Sequence, residues 1–346
     1  MMRFLGYIKA IPLKKKIKYC TMLISFVLLF VFIGISSIFK NMLPDMNVYK
    51  KWDSNGGYEQ FSVYLPVGIM QERASYDGMM HQIREALDKE GIEPANKQSR
   101  MALGAFSGYG NVTLQTDVAT VSVGAIGVGG DFFYFHPIEL LDGSYLTEEY
   151  LMRDYIILDR ETAWKLFGAT NVTGMTVMIG NVPFLVAGVY EPTDVLLLEE
   201  AGLDESRVFL FYESLEEFGT VAGLQWLDFL LPNPVKGFGE KILEENSAVS
   251  LKQAVVMNNS TRFDAIPLYK LIPDYMERIM SKSGIIYPYW ENVARGYENI
   301  LVAFLLVETV CLLCGVVLLL HTIKPVKNIK RGINWCVSKI KGRKSL

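Results

Sequence analysis

Two long apolar runs, one near each end of the sequence, restrict the possible folds of this chain more than any other feature. Residues 20–39 read CTMLISFVLLFVFIGISSIF and carry no charge. Residues 300–320 read ILVAFLLVETVCLLCGVVLLL and carry one charged residue, Glu308. Because an α-helix rises about 1.5 Å per residue, roughly 20 residues are needed to cross a hydrocarbon core about 30 Å thick. The sequence therefore predicts transmembrane helices at 20–39 and 300–320.

The charges are distributed so that both ends of the chain should stay in the cytoplasm. Residues 1–19 hold six basic side chains and no acidic one, and residues 321–346 hold eight basic side chains and no acidic one. All 37 acidic residues lie between these ends, with the remaining 20 basic ones. Basic flanks are retained on the cytoplasmic side of a membrane. We therefore expect a two-pass protein of the cell membrane, with a basic cytoplasmic segment at 1–19 and an extracytoplasmic domain at 40–299.

The basic C-terminal segment, residues 321–346, has a further pattern. After its proline, apolar residues recur at intervals of three and four with basic residues between them: Val326, Ile329, Ile333, Val337 and Ile340. This spacing predicts a cytoplasmic amphipathic helix on the anionic inner leaflet. The basic termini thus indicate anionic membrane lipids as partners, and no nucleic acid is expected.

A cleaved signal peptide is the alternative for the first apolar run, because a signal peptide also begins with a basic segment. Its apolar core spans about 7 to 15 residues and ends at small residues. Here the run is longer and continues into Ile38, Phe39 and Lys40, with Ser36 and Ser37 as the one plausible cleavage cue. An uncleaved membrane anchor is favoured.

The four cysteines agree with this arrangement. Cys20, Cys311 and Cys314 fall in the apolar runs and Cys336 in the basic tail, so the extracytoplasmic domain has no cysteine with which to form a disulfide. Cys311 and Cys314 form a CxxC pair within the second run. Packing of these small side chains against another helix is favoured over redox or zinc chemistry.

The middle of the sequence begins and ends with the same order of strand and helix. EQFSVYLPVG at 59–68 alternates like a strand, and MHQIREALDKEG at 80–91 has apolar residues at helical spacing before Gly91. LQWLDFLLPNP at 224–234 and VKGFGEKILEEN at 235–246 repeat this order. Two such units predict a pseudo-symmetric α+β module with a long insertion between its halves.

The insertion, at about 115–215, is predicted to be rich in β-strands. TVSVGAI alternates like a strand, and MTVMIGNVPFLVAGVY contains two apolar runs joined by Gly180 and Asn181, a two-residue hairpin signal. Between them, LDRETAWKLFG predicts a short helix with Asp159 as its N-cap and Gly168 at its end. The expected fold class is therefore an α+β extracytoplasmic domain, with an inserted β-rich subdomain, between two transmembrane helices.

The stretch GVGGDFFYFHP at 127–137 combines glycines with four consecutive aromatic residues. Glycines permit tight backbone turns, and aromatic side chains bury large apolar areas. We predict that the aromatic side chains of residues 132–135 pack the joint between subdomains; direct contact with a ligand is the alternative. His136, a lone histidine beside a proline, is expected to be structural.

Together these stretches resemble a known family. The order GVGGDFFYFHPIELLDGSYL, YIILDRETAWKLFG and VTGMTVMIGNVPFLVAGVYEP is similar to the periplasmic core domain of MacB-type ABC transporter permeases. That group includes macrolide exporters and FtsX-like or lipoprotein-release systems. Phe132 and Phe133 stand at the family's strand end, residues 166–168 at its Leu-Phe-Gly helix end, and residues 186–189 in its last strand. The resemblance covers about residues 45–295, together with the first apolar run.

The resemblance implies a permease-type subunit whose extracytoplasmic domain moves with its membrane helices when a separate ATPase cycles. Ser144 stands where the family usually has arginine, and Met175 where it usually has lysine, so the polar network of those residues is not expected. Family permeases continue past the second membrane helix through a charged coupling helix and two further helices. The present sequence reads as truncated after the second transmembrane helix.

The sequence contains none of the common motifs of catalysis. There is no GxxxxGK[ST] loop for ATP, no HExxH, no GxSxG and no paired Cys/His ligand set. GFGEK at 237–241 lacks the spacing of a phosphate-binding loop, and the acidic run LEEAGLDES at 198–206 is typical of a solvated loop. We therefore expect a non-enzymatic protein with no catalytic residue, cofactor or metal.

Glu308 is the candidate site residue, as an intramembrane contact with a partner. A carboxylate within a span is costly unless it faces a protein interior, a partner helix or water, or is protonated. The first apolar run offers it few polar side chains, namely Thr21, Ser25, Ser36 and Ser37. Contact with a helix of a partner subunit is favoured; a wet vestibule open to substrate and simple tolerance near the outer interface are the alternatives.

The segment WENVARGYENILVAF at 290–304 has no helix breaker before the second run. We expect one helix to continue from the domain into the membrane, with Trp290 and Tyr297 near the interface.

Two functions are compatible with these features. The first is a non-enzymatic permease-type subunit of a MacB-like ABC export or lipoprotein-handling system, with separate ABC ATPase and permease partners. The second is a membrane-tethered binding or sensor module without transport activity. The missing coupling helix favours the second, and the continuous helix and topology favour the first, which we prefer. A homo- or heterodimer is compatible with either.

Overall fold

A computed structural model describes most of the chain between residues 13 and 322. The described ranges are 13–53, 56–69, 72–93, 100–192, 206–247, 253–274 and 285–322. The predictions for residues 1–12, for the acidic loop at 198–205 and for the basic tail from 323 onward, including its amphipathic helix and Cys336, lie outside the described residues.

Within these ranges the secondary structure consists of nine α-helices, two short 3₁₀ turns and eleven strands. The helices are α1 (Leu13–Asn41), α2 (Val48–Trp52), α3 (Arg73–Lys89), α4 (Phe132–Phe135), α5 (Arg160–Phe167), α6 (Tyr212–Phe218), α7 (Phe238–Glu245), α8 (Ala265–Lys270) and α9 (Tyr289–Thr322). The strands are β1 (Tyr58–Tyr64), β2 (Leu103–Gln115), β3 (Thr120–Gly130), β4 (Glu139–Gly143), β5 (Tyr155–Asp159), β6 (Thr176–Ile179), β7 (Val182–Glu191), β8 (Arg207–Phe211), β9 (Thr220–Val221), β10 (Trp226–Pro232) and β11 (Val255–Asn258). The 3₁₀ turns are Pro44–Met46 and Ile272–Asp274.

The chain divides into two compact units. One comprises Met1–Lys40 with Ile300–Leu346, and the other comprises Asn41–Asn299. The first unit contains most of α1 and of α9, whose apolar segments are Lys16–Asn41 and Tyr289–His321. Both segments are long and apolar enough to cross a membrane. α9 is a single unbroken helix of 34 residues.

The second unit is built on one mixed sheet, which carries all the strands in the described part of the chain. The order is β11-β1-β10-β2-β3-β8-β5-β7-β4, while β6 pairs with β2 and β7, and β9 pairs with β2. Most neighbours are antiparallel; β3 and β8, and β5 and β7, are parallel. The expected α+β class, with an inserted β-rich part, is confirmed.

The two strand-and-helix units that the sequence predicts lie side by side. β1 pairs antiparallel with β10, and Phe61 faces Phe229 in the register. Apolar residues of α3 and α7, including Ile83 and Ile242, pack with these strands in one core. At about 25 cal/mol per Å² of apolar surface removed from water, such burial is the main source of stability for the module.

A second core lies in the inserted part of the sheet. It contains Val112 and Leu114 from β2, Leu166 from α5 and Phe184 from β7, all nearly or fully buried. The long β2–β3 hairpin belongs to both cores, because Phe106, earlier in β2, packs in the first one. The hairpin therefore joins the two parts of the domain.

The local signals in the insertion are confirmed. The Asp159 carboxylate accepts a hydrogen bond from the Thr162 amide at 2.9 Å and caps α5, which ends at Gly168 with φ 68°. Gly180, with φ 60°, occupies the two-residue turn between β6 and β7. A positive φ at these turns is what glycine adopts without steric cost.

The aromatic run forms the short helix α4, and two of its four rings, Phe132 and Phe135, are buried. Phe132 lies against Phe209, with ring centroids 5.9 Å apart, and against Trp290 at 5.7 Å. Phe133 stacks on Tyr145 at 5.0 Å. Strand β8 and the first turn of α9 therefore meet around these rings.

The side chains of Trp290 and Tyr297, which are predicted to lie near the membrane interface, pack against protein, and their depth relative to a membrane stays a prediction. Both side chains are buried in the unit Asn41–Asn299, with exposed fractions of 3% and 2%. The first turns of α9 pack within this unit, where the indole of Trp290 contacts the rings of Phe132, His136 and Trp226.

Candidate functional site

The carboxylate singled out by the sequence, Glu308, has a partner within its own chain. The Ser36 hydroxyl of α1 donates a hydrogen bond to Glu308 Oε1 at 2.6 Å. Ser36 is 272 residues away in sequence and is 9% exposed. A short hydrogen bond to a carboxylate in an apolar medium offsets part of the cost of placing the charged group there.

The packing around this pair brings α1 and α9 together along one seam. Phe304, one turn before Glu308, contacts Phe32 and Phe39 edge to face, with centroids 5.7 and 5.4 Å apart. Two turns after Glu308, the backbone of Gly315 faces the Phe26 ring, which would lie 3.0 Å from a Cβ atom at that position. Small residues let helices approach closely within a membrane.

The first apolar run was expected to offer Glu308 few partners, but one of its residues, Ser36, is hydrogen-bonded to it. Ser36 was one of four polar side chains considered, and helix packing selects it. One of the two carboxylate oxygens of Glu308 accepts a hydrogen bond from within the chain. Contact of Glu308 with a helix of a second subunit stays a prediction.

A second polar site, buried in the unit Asn41–Asn299, centres on His136. This side chain is 1% exposed. Its Nδ1 lies 3.3 Å from Asp45 Oδ2, and its Nε2 lies 2.9 Å from Asp228 Oδ2. Its ring stacks on the indole of Trp290, with centroids 4.2 Å apart and planes 30° apart.

The two carboxylates keep His136 charged. Burial alone lowers the pKa of the imidazole, but the charges of Asp228 and Asp45 and their hydrogen bonds outweigh it and raise the pKa of His136 to about 9. The side chain is therefore an imidazolium at neutral pH. It is the positive centre of a carboxylate–imidazolium–carboxylate group.

Hydrogen bonds continue from Asp228 across the strands. Ser62 Oγ donates to Asp228 Oδ1 at 2.5 Å, and Asn259 Nδ2 donates to Ser62 Oγ at 2.8 Å. Arg262 Nη1 then donates to Asn259 Oδ1 at 2.9 Å. The four side chains are 1–3% exposed. Buried polar groups are tolerated when they are hydrogen-bonded in this way.

The network ends on the first turns of α9. Arg262 donates to both oxygens of Glu291, at 2.9 and 3.2 Å, and through Nε to Glu298 at 3.0 Å. Glu291 also accepts from Tyr64, at 2.8 Å, and from Arg295, at 2.7 Å. Burial opposes the charge of Arg262, but the two glutamates outweigh it and raise the pKa of the guanidinium.

The residues of this network come from three separate segments of the chain. Asp45 lies four residues after the end of α1, and Glu291 and Glu298 lie within the first ten residues of α9. Ser62 and Asp228 come from the central strands β1 and β10. The network therefore joins the segment that follows one apolar helix, the central strands and the beginning of the other long helix. We call this group from Asp45 to Glu298 the junction network.

The junction network is absent from the predictions that the sequence supports. His136 is predicted from the sequence to be a lone structural histidine, and its carboxylate partners Asp45 and Asp228 are not predicted. Two signals were available. Asp228 interrupts a strand that is otherwise apolar, and Glu291, Arg295 and Glu298 share one face of a helix by their spacing. Over the ranges that the structure covers, no group of three His, Cys, Asp or Glu side chains is placed to hold a metal ion.

The chain combines an α+β unit with two helices that are long and apolar enough to cross a membrane. The profile of the MacB-like periplasmic core domain matches residues 22–227, more than half of the chain. The chain belongs to this family, as the sequence resemblance predicts. It is a membrane protein of the ABC transporter permease type, with two apolar helices and a periplasmic-type domain between them.

Related proteins share only part of their length with this chain. It is 27% identical over 167 residues to the macrolide export ATP-binding/permease protein MacB of Escherichia coli strain K12, and equally to that of Shigella flexneri. The match covers 47% of this chain and 25% of the relatives, so the chain aligns with about a quarter of their length.

Two solved structures are similar in fold. The periplasmic region of MacB from Actinobacillus actinomycetemcomitans has a TM-score of 0.40 and 16% identity, covering 60% of this chain and 92% of that one. The extracellular domain of the ABC-type transporter YknZ from Gram-positive bacteria has a TM-score of 0.36 and 14% identity, covering 57% and 100% respectively.

Proposed function

We propose that the chain is a non-enzymatic permease-type subunit of a MacB-like ABC export or lipoprotein-handling system. A separate ABC ATPase and a permease are its partners, and both of its termini are cytoplasmic. The extracytoplasmic domain moves with the two membrane helices when the ATPase cycles. The observation that carries the proposal is the family match, which runs from within the first apolar helix through most of the extracytoplasmic domain.

The unbroken helix α9 supports the proposed coupling. Its first turns hold Glu291 and Glu298, which are ion-paired to Arg262, and its later turns hold Glu308. A continuous helix transmits an axial movement or rotation without a flexible joint. Removing one partner of a buried ion pair lowers the stability of a protein by roughly 3 to 5 kcal/mol. Because sliding of α9 past the strands would separate such pairs, the junction network resists it.

Glu308 is the proposed contact with a permease partner. Ser36 occupies one oxygen of its carboxylate, and a donor from another helix would complete its hydrogen bonding. The basic termini, in turn, are proposed to contact anionic lipids of the inner leaflet, as their charge without acidic neighbours suggests.

The experiment is an affinity purification of the full tagged chain from native membranes in mild detergent. We expect a P-loop ATPase and a permease to be recovered in fixed ratio. The variant Arg262→Met disrupts the junction network. In liposomes, we expect the rate of ATP hydrolysis by that ATPase to differ between the parent chain and Arg262→Met. The isolated chain should hydrolyse no ATP.

Two outcomes decide against the proposal. Recovery of neither ATPase nor permease from membranes that contain the chain would favour a tethered binding or sensor module. If both are recovered but the rates of ATP hydrolysis and export are the same with and without the chain, the chain has no coupling role. Arg160→Met, which breaks an exposed ion pair with Glu191, is the matched control for the loss of one arginine.

A further inference from the structure

The two ends of the unit Asn41–Asn299 lie next to each other. Arg262 donates hydrogen bonds to Met46 Sδ at 3.3 Å and to Glu298 Oε1 at 3.0 Å. Met46 lies five positions after the first residue of the unit, and Glu298 directly precedes its last residue. The side of the unit that carries Arg262 is therefore the side where the chain continues into its two apolar helices.

An apolar surface segment begins three residues after Arg262. It consists of α8 and the 3₁₀ turn that follows, reads AIPLYKLIPD, and is called here the α8 segment. Leu268 is buried, whereas Ile266, Tyr269 and Ile272 are 71%, 39% and 38% exposed. Side chains three residues apart share one side of a helix, and in a 3₁₀ turn they eclipse one another. The segment therefore has one apolar side against the protein and a second apolar side that faces outward.

Several backbone groups of the α8 segment are paired within it. The amides of Leu271 and Asp274 donate to the carbonyls of Leu268 and Leu271, each at 3.1 Å. Pro267 and Pro273 have no N–H group. Because an unpaired backbone donor is costly where water is scarce, this pairing suits a segment at the boundary between lipid headgroups and hydrocarbon.

The α8 segment begins close to the point at which α9 becomes apolar. Glu298 lies two residues before Ile300, the start of the second apolar run, which is about 3 Å along the helix axis. Ile266 is four residues from Arg262, the partner of Glu298, so the Cα atoms of Ile266 and Arg262 are at most about 14 Å apart. The headgroup layer on each side of a bilayer is about 5 to 8 Å thick. Ile266 is therefore close enough to reach the headgroup layer that α9 enters.

The side chains of the α8 segment are of types that favour a membrane surface. Tyr269 has an apolar ring with a polar end, and tyrosine is enriched at membrane–water interfaces. Lys270 can lay its methylene groups on an apolar surface and keep its ammonium group in water. Lys270 stands between two acidic residues, Asp264 and Asp274. The charges therefore do not select anionic lipids, and the outward apolar side chains are the feature that fits a bilayer.

We propose that the α8 segment lies on the membrane surface that the two apolar helices enter. Ile266, Tyr269 and Ile272 are inserted among the lipids of the leaflet on the side of the unit Asn41–Asn299. Arg262 joins this lipid contact to the junction network, because its ion pairs hold the start of the segment against α9. The contact goes beyond the function proposed above, since it requires neither an ATPase nor transport.

The test measures the surroundings of the α8 segment in a bilayer. The full chain, without its four native cysteines, is placed in nanodiscs of phosphatidylcholine, and spin labels are attached to Ile266→Cys and Ile272→Cys. Paramagnetic resonance measures the accessibility of each label to oxygen, which is enriched in lipid, and to a nickel complex that stays in water. We expect accessibility to oxygen to exceed accessibility to nickel at both positions.

Val118→Cys is the matched control. Val118 is 88% exposed and lies in the turn between β2 and β3. Because β3 has 11 residues and a strand rises about 3.3 Å per residue, this turn is roughly 33 Å from the other end of the strand. The label at this exposed apolar position should be more accessible to nickel than to oxygen.

A serine variant tests whether the apolar side chains cause the insertion. A label on Tyr269→Cys should be more accessible to oxygen than to nickel in the parent background. Ile266→Ser combined with Ile272→Ser removes apolar surface that is favourable in lipid. In this background the label at position 269 should become less accessible to oxygen and more accessible to nickel.

The proposal is overturned if nickel reaches the labels at 266 and 272 better than oxygen does, because the segment then lies in water. It is also overturned if both reagents are excluded, because the segment is then covered by protein. In native membranes, a photoreactive benzoylphenylalanine in place of Tyr269 should form an adduct with lipid; an adduct with another protein or a second copy of the chain overturns the proposal. Circular dichroism and the thermal midpoint show whether each variant keeps the fold, and Tyr269→Cys replaces an isoleucine variant that does not.

Discussion

His136 Nε2 and Asp228 Oδ2 lie 2.9 Å apart, with both side chains almost completely buried. Because the second ring nitrogen faces Asp45, the imidazole has a carboxylate on each side, and the ring of Trp290 covers it. A charged histidine in such a place contributes to stability as long as it keeps its proton. The group links three parts of the chain that are far apart in sequence.

The first prediction is a loss of stability with rising pH. Since the pKa of His136 is about 9 in the folded protein and 6.5 is its ordinary value, its contribution is fully present below pH 6.5. It declines between pH 6.5 and 9 and is absent above, for a total on the order of 3 kcal/mol. Thermal unfolding of the full chain in nanodiscs, followed by tryptophan emission, should show this decline.

The matched variant for that prediction is His136→Gln. Glutamine keeps a hydrogen-bond donor but does not titrate, so the variant should be less stable than the parent at pH 6 and should approach it at pH 9.5. His81→Gln removes an exposed histidine from α3 and should leave the profile as in the parent. Parallel profiles for the parent and His136→Gln would contradict the assignment.

The second prediction concerns Arg262, which is 3% exposed and bonded to both Glu291 and Glu298. Arg262→Met leaves two buried carboxylates without their main partner, and we expect the free energy of unfolding to fall by about 3 to 5 kcal/mol. Arg262→Lys keeps the charge but not the two-pronged geometry, so it should recover part of the loss. Chemical denaturation of the extracytoplasmic domain within the full chain measures both.

An exposed ion pair provides the comparison for this prediction. Arg160 contacts Glu191 at 3.0 Å, but its side chain is 60% exposed. Exposed pairs contribute about 0 to 1 kcal/mol, so Arg160→Met should change stability little. Equal effects of Arg160→Met and Arg262→Met would show that the junction network has no special energetic role.

Much of the fold could be predicted from the sequence where the signal is local. Asp159, Gly168 and the turn at Gly180 each act within a few residues, and all three are found as predicted. The apolar runs are also local signals, since their length and their near absence of charge, with Glu308 as the one charged residue, can be read directly. The α+β class was predicted from two strand-and-helix patterns, because the apolar residues of each pattern can be buried only by packing against the other.

The junction network could not be predicted in the same way, because its partners meet only in the folded chain. His136 is 91 residues from Asp45 and 92 from Asp228. The sequence shows that a charge lies in an apolar strand, but it does not show which residue pairs with it. Ser36 and Glu308 illustrate the same limit, since four hydroxyl side chains of the first run were candidates and helix packing selects one.

The third prediction is the orientation of the chain. Both ends are basic, so they should be cytoplasmic, while residue 147 should be outside. In a background without the four native cysteines, Thr147→Cys should react with an impermeant thiol reagent on intact cells, and Ile340→Cys should react only after permeabilisation. Labelling of Ile340→Cys from outside would overturn the arrangement.

The fourth prediction concerns Glu308 and its proposed partner helix. An unpaired ionised carboxylate at the centre of a span costs roughly 2.5 to 3.5 kcal/mol on insertion scales. The remainder of the second apolar run is strongly hydrophobic, so Glu308→Gln and Glu308→Leu should both insert normally. Glu308→Gln should weaken co-purification with the permease partner, and Glu308→Leu should weaken it further, because leucine removes every polar contact.

Ser36→Ala separates the contact inside the chain from the contact with a partner. It removes the hydrogen bond to Glu308 Oε1 and leaves the carboxylate in place. If Glu308 binds a second subunit, Ser36→Ala should retain more of the partner than Glu308→Leu does, since the carboxylate is still available. If Ser36→Ala and Glu308→Leu lose the partner equally, the carboxylate acts by holding α1 against α9. If the partner is recovered in full with both, and export is unchanged, Glu308 is merely tolerated in the span.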